Sequence, residues 1–350
     1  MNQHNPLENE RIGVIFGGRS GEHEVSCMSA ASVIRAMNRD KFNLVYIGIT
    51  KQGKWMRYDG PVEHIEDGSW LQTAEDFNLI QLPELIDFAL PILHGPYGED
   101  GRLQGLLEML DIPYGGCGVL ASAVAMDKAI AKDLFLQHGL PVCRHVFTTK
   151  EQVEKSAEAI AMKVEATIGY PCFVKPANMG SSVGISKATN YDTLMAALEE
   201  AVRYDRRILI EEAIDCREVE TAVVGNGYPR VAAVGEILSG GEFYDYTAKY
   251  TDGVSSLCIP AHLPQDVYRE IQQLAIRAYK AIDGEGYARV DFFIDRVTGK
   301  IYLNEINTIP GFTRYSMFPL LCREAGMEYD TLLERIIELG YERYHAKNNG

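Results

Sequence analysis

In the segment ARVDFFIDRVTGKIYLNEIN, residues 288–307, polar side chains interrupt two apolar runs at a spacing that could do electrostatic chemistry. The stretch DRVTGK between the runs is rich in turn formers and suits a hairpin. Side chains alternate along a strand, so Arg289 and Asp291 share one face of the first strand, and Glu305 and Asn307 share one face of the second. A turn centred near Thr298 then sets Asp291 opposite Glu305 and Arg289 opposite Asn307. Opposed residues hold their Cβ atoms roughly 4.5–5.5 Å apart, where two like charges destabilise a sheet unless a cation offsets them. A divalent ion is one answer: carboxylate and amide oxygens suit Mg²⁺, which keeps places for water and phosphate oxygens. The other answer is a solvated outer face on which the charges never meet.

A second segment, FVKPANMGSSVG (173–184), carries Lys175 at the end of an apolar run and then Gly180, Ser181, Ser182 and Gly184. Such a loop can present backbone N–H groups to anionic oxygens, although a Ser/Gly hairpin is also simply a turn. The chain holds no GxxxxGK[ST] string, so this is not a Walker A loop. Lys128 in AMDKAIAK offers a second positive charge or a solvated helical lysine. The opening FGGRSGEHEVS has glycines at 17, 18 and 21, which fails GxGxxG and disfavours dinucleotide binding. Glu22 in that loop could hold an ammonium group or simply stabilise the first turn of a helix. His94, in LHGPYGEDG, is the one histidine in a motif-like setting, with catalytic and structural readings both open. No HExxH spacing occurs.

The elements that must position these groups read as three successive units. RIGVIFGG ends a short strand in glycines, and Ser26 stands where an N-cap would precede the helical pattern CMSAASVIRAM. Strands at 44–50 and 88–95 and a helix bearing Leu103, Leu106, Leu107 and Leu110 on one face alternate with it, which implies a parallel α/β sheet, Rossmann-like in character. After about residue 116 the pattern becomes strand, glycine loop, strand between helical stretches 151–166 and 191–204, an expected antiparallel sheet. From about 208, ILIEEAI, VETAVVG, RVAAVGEI, ARVDFFID and KIYLNEIN read as strands of an α+β unit broken by one helix at 265–282. The units are drawn as 1–116, 117–211 and 212–350.

Bulk properties set limits on function. At 350 residues the chain exceeds what one hydrophobic core usually supports. A net charge of -15, with no Lys/Arg block, opposes a nucleic-acid partner. Seven scattered cysteines without CxxC spacing read as reduced. The start MNQHNPLENER lacks a secretory pattern and no run of about 18 apolar residues exists, so the expectation is a cytoplasmic protein with no membrane partner.

Taken in order, GGRSGEHEVS, LHGPYGEDG, AMDK, VKPANMGSSVG, FYDYTAKY, ARVDFF and NEINTIPGFTRYSMFP resemble the D-alanine:D-alanine ligases of the ATP-grasp superfamily along nearly the whole chain. The resemblance implies a three-domain ATP-grasp fold, ATP between the second and third units, two Mg²⁺ ions for which Mn²⁺ can substitute, small-molecule substrates and a homodimer. By motif match it implies Asp291, Glu305 and Asn307 as metal ligands, and Lys128, Lys175 and Lys249 on the phosphates under a lid of Gly180, Ser181 and Ser182. Glu211, Glu212, Ala213 and Ile214 would line the adenine pocket, with Glu218 on the ribose. Glu22 would bind the first D-alanine, with His94 and Glu99 in support. Arg289 and the Gly311 N–H would stabilise an oxyanion, and Ser316 with Met317 would hold the second carboxylate. Tyr250 would join Ser181 and Glu22 in a bridge closing the loop.

For the second substrate, the presence of Tyr250 speaks against D-lactate, and Met317, where D-serine-accepting relatives tend to carry arginine, speaks against D-serine. RYS at 314–316 and Met179 depart from the common pattern. Another ATP-grasp chemistry would keep the hairpin and lid but not FYDYTAKY. A non-catalytic nucleotide binder would be expected to lack a metal ligand or Arg289.

Overall fold

The computed structural model describes residues 9–181, 183–239 and 255–348. Its first sheet runs β4-β3-β2-β1-β5. The strands are β1 (Arg11–Gly17), β2 (Asn43–Ile49), β3 (Trp55–Tyr58), β4 (Glu75–Asp76) and β5 (Phe88–Pro91). β1 pairs in parallel with both β2 and β5, as the alternation of strands and helices requires, while β3 and β4 add an antiparallel edge. The run RIGVIFG is buried on both faces after its first residue, the habit of a central parallel strand.

The first helix, His23–Ala36, starts before the expected cap, with Glu22 at the N-cap position. Ser26 does not cap it. Its hydroxyl accepts from the Gly17 N–H at 2.8 Å and donates to the Ile92 carbonyl, joining the ends of β1 and β5. Tertiary partners here override a local capping preference.

The second sheet, β6-β9-β7-β8, is antiparallel at every pairing. It comprises β6 (His145–Thr149), β7 (Cys172–Pro176), β8 (Ser186–Ala188) and β9 (Arg207–Glu212). The run ILIEEAI, with which the α+β strands begin in the sequence, thus supplies an inner strand of the second sheet, one residue past the boundary drawn at 211. Ile208 and Ile210 are buried against Val146 and Val174 of the adjoining strands and against the helices Lys150–Thr167 and Tyr191–Ala201. The former helix opens on a capping box between Thr149 and Gln152.

The third sheet is β12-β11-β10-β13-β14. Its strands are β10 (Cys216–Val224), β11 (Arg230–Ser239), β12 (Ser255–Cys258), β13 (Tyr287–Asp295) and β14 (Ile301–Asn307). The helix Gln265–Ala281 covers one face, and the helices Val119–Met126 and Lys128–Gln137 join the same core. Ala121, Ala125 and Phe135 pack with Val219, Val290 and Leu303. The stretch from 117 to about 142, grouped by sequence with the second unit, therefore packs its apolar side chains on the third sheet. The last helix, Tyr329–Asn348, returns to the beginning of the chain, and its Leu333 and Ile336 share a core with Ile12 and Phe88. Among the described residues no helix is long and apolar enough to cross a membrane, and all seven cysteines are free.

Candidate active site

The three sheets converge on one cavity of about 320 Å³, a volume in the usual range of small-molecule sites. The hairpin β13–β14 forms its floor with the expected register, Asp291 opposite Glu305 and Arg289 opposite Asn307. The turn between the strands is held by the Asp295 carboxylate, which accepts from the Val297 and Thr298 N–H groups at 2.8 Å.

Protein cations already stand beside the opposed carboxylates. Arg289 reaches Asp291 at 2.7 Å and Glu220, on neighbouring β10, at 2.8 Å. Burial works against the guanidinium charge, but Asp291 and Glu220 outweigh it and raise the Arg289 pKa. Lys128 lies 3.5 Å from Glu305 and donates to the Met179 carbonyl at 2.8 Å. The Asn307 amide donates to Asp291 at 2.9 Å. Charge opposition alone thus does not demand a metal ion.

The donor chemistry does fit one. Two carboxylates and an amide oxygen on a single face are hard ligands of the Mg²⁺ kind. No group of three or more His, Cys, Asp or Glu side chains forms a metal cage among the described residues, so water and phosphate oxygens would complete any such shell.

Above the floor, Lys175 on β7 pairs with Glu211 on β9 at 2.5 Å, and Lys132 pairs with the other Glu211 oxygen at 2.6 Å. Burial alone would raise the Glu211 pKa, but the two lysines overcome it and hold the carboxyl at about 2. Asp127 orients this corner. Its side chain caps the helix Lys128–Gln137 through the Ala129 and Ile130 N–H groups and receives Arg207 at 2.5 Å.

Elsewhere in the lining, Phe173, Ile185, Ile214, Leu257 and Phe293 supply apolar wall beside Glu212 and Glu218. Glu212 is held by Arg144 at 2.6 Å, and the Ala213 N–H donates to the Pro171 carbonyl at 3.0 Å.

In the same cavity, Ser181 donates its hydroxyl to Glu22. The other Glu22 oxygen lies where a Cβ on Gly95 or Gly180 would stand 2.5 or 2.6 Å from it, so both loops approach as closely as glycine permits. His94 is buried and burial lowers its pKa, leaving a neutral ring. Its Nδ1–H donates to the Ile309 carbonyl at 2.9 Å, so Nε2 accepts from the Ser29 hydroxyl at 3.1 Å. Glu99 accepts from the Gly95 and Ile309 N–H groups at 2.8 and 2.9 Å. Burial first, then the nearby Glu22 charge, pushes its pKa up to about 8. His94 and Glu99 together thus fix residue 309 and the segment leading to Gly311. Ser316 accepts from the Thr313 N–H at 3.1 Å and precedes the helix Met317–Glu324, in which Met317 is buried.

Of the residues singled out from sequence, Glu22, His94, Glu99, Lys128, Lys175, Gly180, Ser181, Glu211, Glu212, Ile214, Glu218, Arg289, Asp291, Glu305, Asn307, Gly311, Ser316 and Met317 line this cavity. Ser182, Lys249 and Tyr250 lie outside the described residues. Sequence reasoning passed over Lys132 and Glu220. Lys132 stands one helical turn after Lys128, at i+4 and hence on the same face. Glu220 shares a strand face with Glu218, two residues before it.

Two family models match the chain: D-ala D-ala ligase N-terminus over residues 11–117 and D-ala D-ala ligase C-terminus over residues 134–338. A D-alanine--D-alanine ligase from Acetivibrio thermocellus is 46% identical, with 97% of each chain covered. Another, from Thermoanaerobacter sp. strain X514, is 49% identical over 97% of this chain and 99% of that one. Among solved structures, the VanG D-Ala:D-Ser ligase from Enterococcus faecalis superposes with a TM-score of 0.86 at 37% identity, covering 95% of this chain and 100% of that one.

Proposed function

This chain belongs to the D-ala D-ala ligase family, and from that premise we propose that it joins two D-alanines with ATP to give D-alanyl-D-alanine, ADP and phosphate, supplying peptidoglycan precursors. In the first step the carboxylate of one D-alanine attacks the γ-phosphorus, giving an acyl phosphate and ADP. In the second, the neutral amine of the other D-alanine attacks the acyl carbon, and the tetrahedral species collapses with loss of phosphate. The observation that carries this reading is the convergence, in one cavity, of Glu22, Arg289, the Lys128 and Lys175 pair, and the opposed Asp291 and Glu305.

Each group has a physical task. Glu22 takes the ammonium of the first D-alanine while Ser181 keeps its carboxylate aimed. Arg289, fixed by Asp291 and Glu220, lies with the Gly311 N–H where negative charge develops on the attacked carbonyl. Lys128 and Lys175 meet the phosphates, and the resemblance assigns Lys249 and Ser182 to the same task. Glu211, Glu212 and Ile214 line the base, Ala213 standing outside the cavity lining with its N–H taken by the Pro171 carbonyl, and Glu218 takes the ribose. Ser316 and the Met317 N–H take the second carboxylate, and the resemblance assigns Tyr250 to the closing of the loop. Two Mg²⁺ ions, held by Asp291, Glu305 and Asn307, would neutralise charge on the transferring phosphoryl group. An acyl phosphate exposed to water hydrolyses, which is the reason for a closed loop. The family resemblance also supports a homodimer in the cytoplasm.

A second reading, ligation of D-alanine to D-serine, is favoured by the similarity to the VanG enzyme. Met317 in place of arginine opposes it. Mass spectrometry of the products formed from D-alanine offered with equimolar D-serine and D-lactate separates the readings. Predominant D-alanyl-D-alanine supports the first, and ADP release indifferent to D-alanine removes both.

A further inference from the structure

Lys132 has 1% of its side chain exposed and stands behind Glu211, outside the cavity wall that Lys128, Lys175 and Glu211 line. It cannot reach a nucleotide. Its ammonium nevertheless contacts Glu211 at 2.6 Å and donates to the Asn304 carbonyl of β14 at 3.2 Å, while Lys175 takes the second Glu211 oxygen at 2.5 Å. One buried carboxylate is therefore shared by two lysines, only one of which faces the cavity.

We infer that Lys132 is a positioning residue for the phosphates: the permanent buried counter-ion of Glu211, which leaves Lys175 free to turn toward an incoming polyphosphate. The argument rests on the reading of Lys175 as a phosphate contact. An ammonium that leaves a buried carboxylate exposes an uncompensated charge in a poorly solvated place, and that penalty would hold Lys175 back. With Lys132 in place, Glu211 keeps a partner whichever way Lys175 points. The Asn304 contact fixes the ammonium in turn, linking the helix Lys128–Gln137 to the strand that carries Glu305. Removing Lys132 leaves Glu211 with Lys175 alone, and the carboxylate then competes with phosphate for it.

The test uses the full chain and calorimetric affinities for ATP and for adenosine, whose ratio cancels any contact that Glu211 makes with the base. Lys132→Met should lower the ATP-over-adenosine preference on the order of tenfold or more. Glu211→Gln removes the competing charge, so adding Lys132→Met to it should change that preference less than about twofold, a non-additivity proper to a shared partner. A wild-type preference in Lys132→Met, or an equal fall in both backgrounds, overturns the proposal. Where Lys132→Met alone does not fold, Lys132→Gln takes its place in both backgrounds. Lys175→Met should itself abolish the preference. If it does not, the phosphate reading of Lys175 fails and the proposal falls with it, whereas a Lys175 effect without a Lys132 effect sinks the proposal alone.

Discussion

Ser181, in the loop between β7 and β8, donates a hydrogen bond from its hydroxyl to Glu22, which opens the first helix 159 positions earlier. This hydrogen bond ties the lid of the second unit to the floor of the first, over the place assigned to the first D-alanine. Hydrogen bonds to a charged group contribute about 1.5–3 kcal/mol. Ser181→Ala should therefore lower kcat/KM by roughly one to two orders of magnitude. Because the lid excludes water, the variant should also release more ADP than it makes dipeptide. A coupled ADP assay beside quantified product checks both, and a ratio that stays at one would remove the lid argument.

Glu305→Gln keeps the shape of the side chain and removes its charge. The Lys128 contact is weakened and one of the two opposed carboxylates is lost. Metal assistance to phosphoryl transfer is on the scale of several kcal/mol, so the rate should fall on the order of a hundredfold or more, with the far-ultraviolet circular dichroism unchanged. A titration with Mg²⁺ should show a raised half-saturation. An unaltered metal dependence would remove Glu305 from the ligand set.

Glu99 makes stability depend on pH. Its folded-state pKa is raised from 4.5 to about 8, by burial and then by Glu22. The folded protein thus binds the proton more tightly than the unfolded chain. The resulting stabilisation is complete below 4.5 and is lost as pH rises through about 8. Glu99→Gln cannot ionise, so the difference in Tm between wild type and variant should move in the variant's favour between pH 5 and 8. Parallel melts at half-unit pH steps measure it, and a difference constant across that window would count against the raised pKa.

The hairpin was legible because it is local. The turn DRVTGK joins the two strands, and a one-residue register shift between Phe292 and Asp291 brings Asp291 opposite Glu305 and Arg289 opposite Asn307, all within twenty residues of chain. Strand β9 runs one residue past the boundary drawn at 211, because an apolar run announces a strand but not its partners, and β9 ends just before β10 begins. Lys132 and Glu220 gain meaning only from Glu211 and Arg289, residues 79 and 69 positions away, so a lysine and a glutamate among many carry no local signal. Ser26 shows the reverse error. A plausible cap by type, it serves instead the Gly17 N–H and the Ile92 carbonyl, partners that exist only once β1 and β5 are aligned.

The last helix was equally hidden, since nothing in its amphipathic pattern says which sheet it covers. Ile336, fully buried, packs in the core that contains Ile12, Phe88 and Leu90 of the first sheet, and Tyr341 lays its ring 5.0 Å from that of Phe88. Arg343 holds the connecting segment through the Tyr114 carbonyl at 2.8 Å. Truncating a buried isoleucine to alanine costs roughly 2–5 kcal/mol. Ile336→Ala should lower stability by that amount, and the loss should register in the first unit rather than only at the C-terminus. Hydrogen exchange of the β1 and β5 amides reads it directly: protection should fall in both strands, and β1 protection equal to wild type would show that the helix does not support the sheet carrying Glu22.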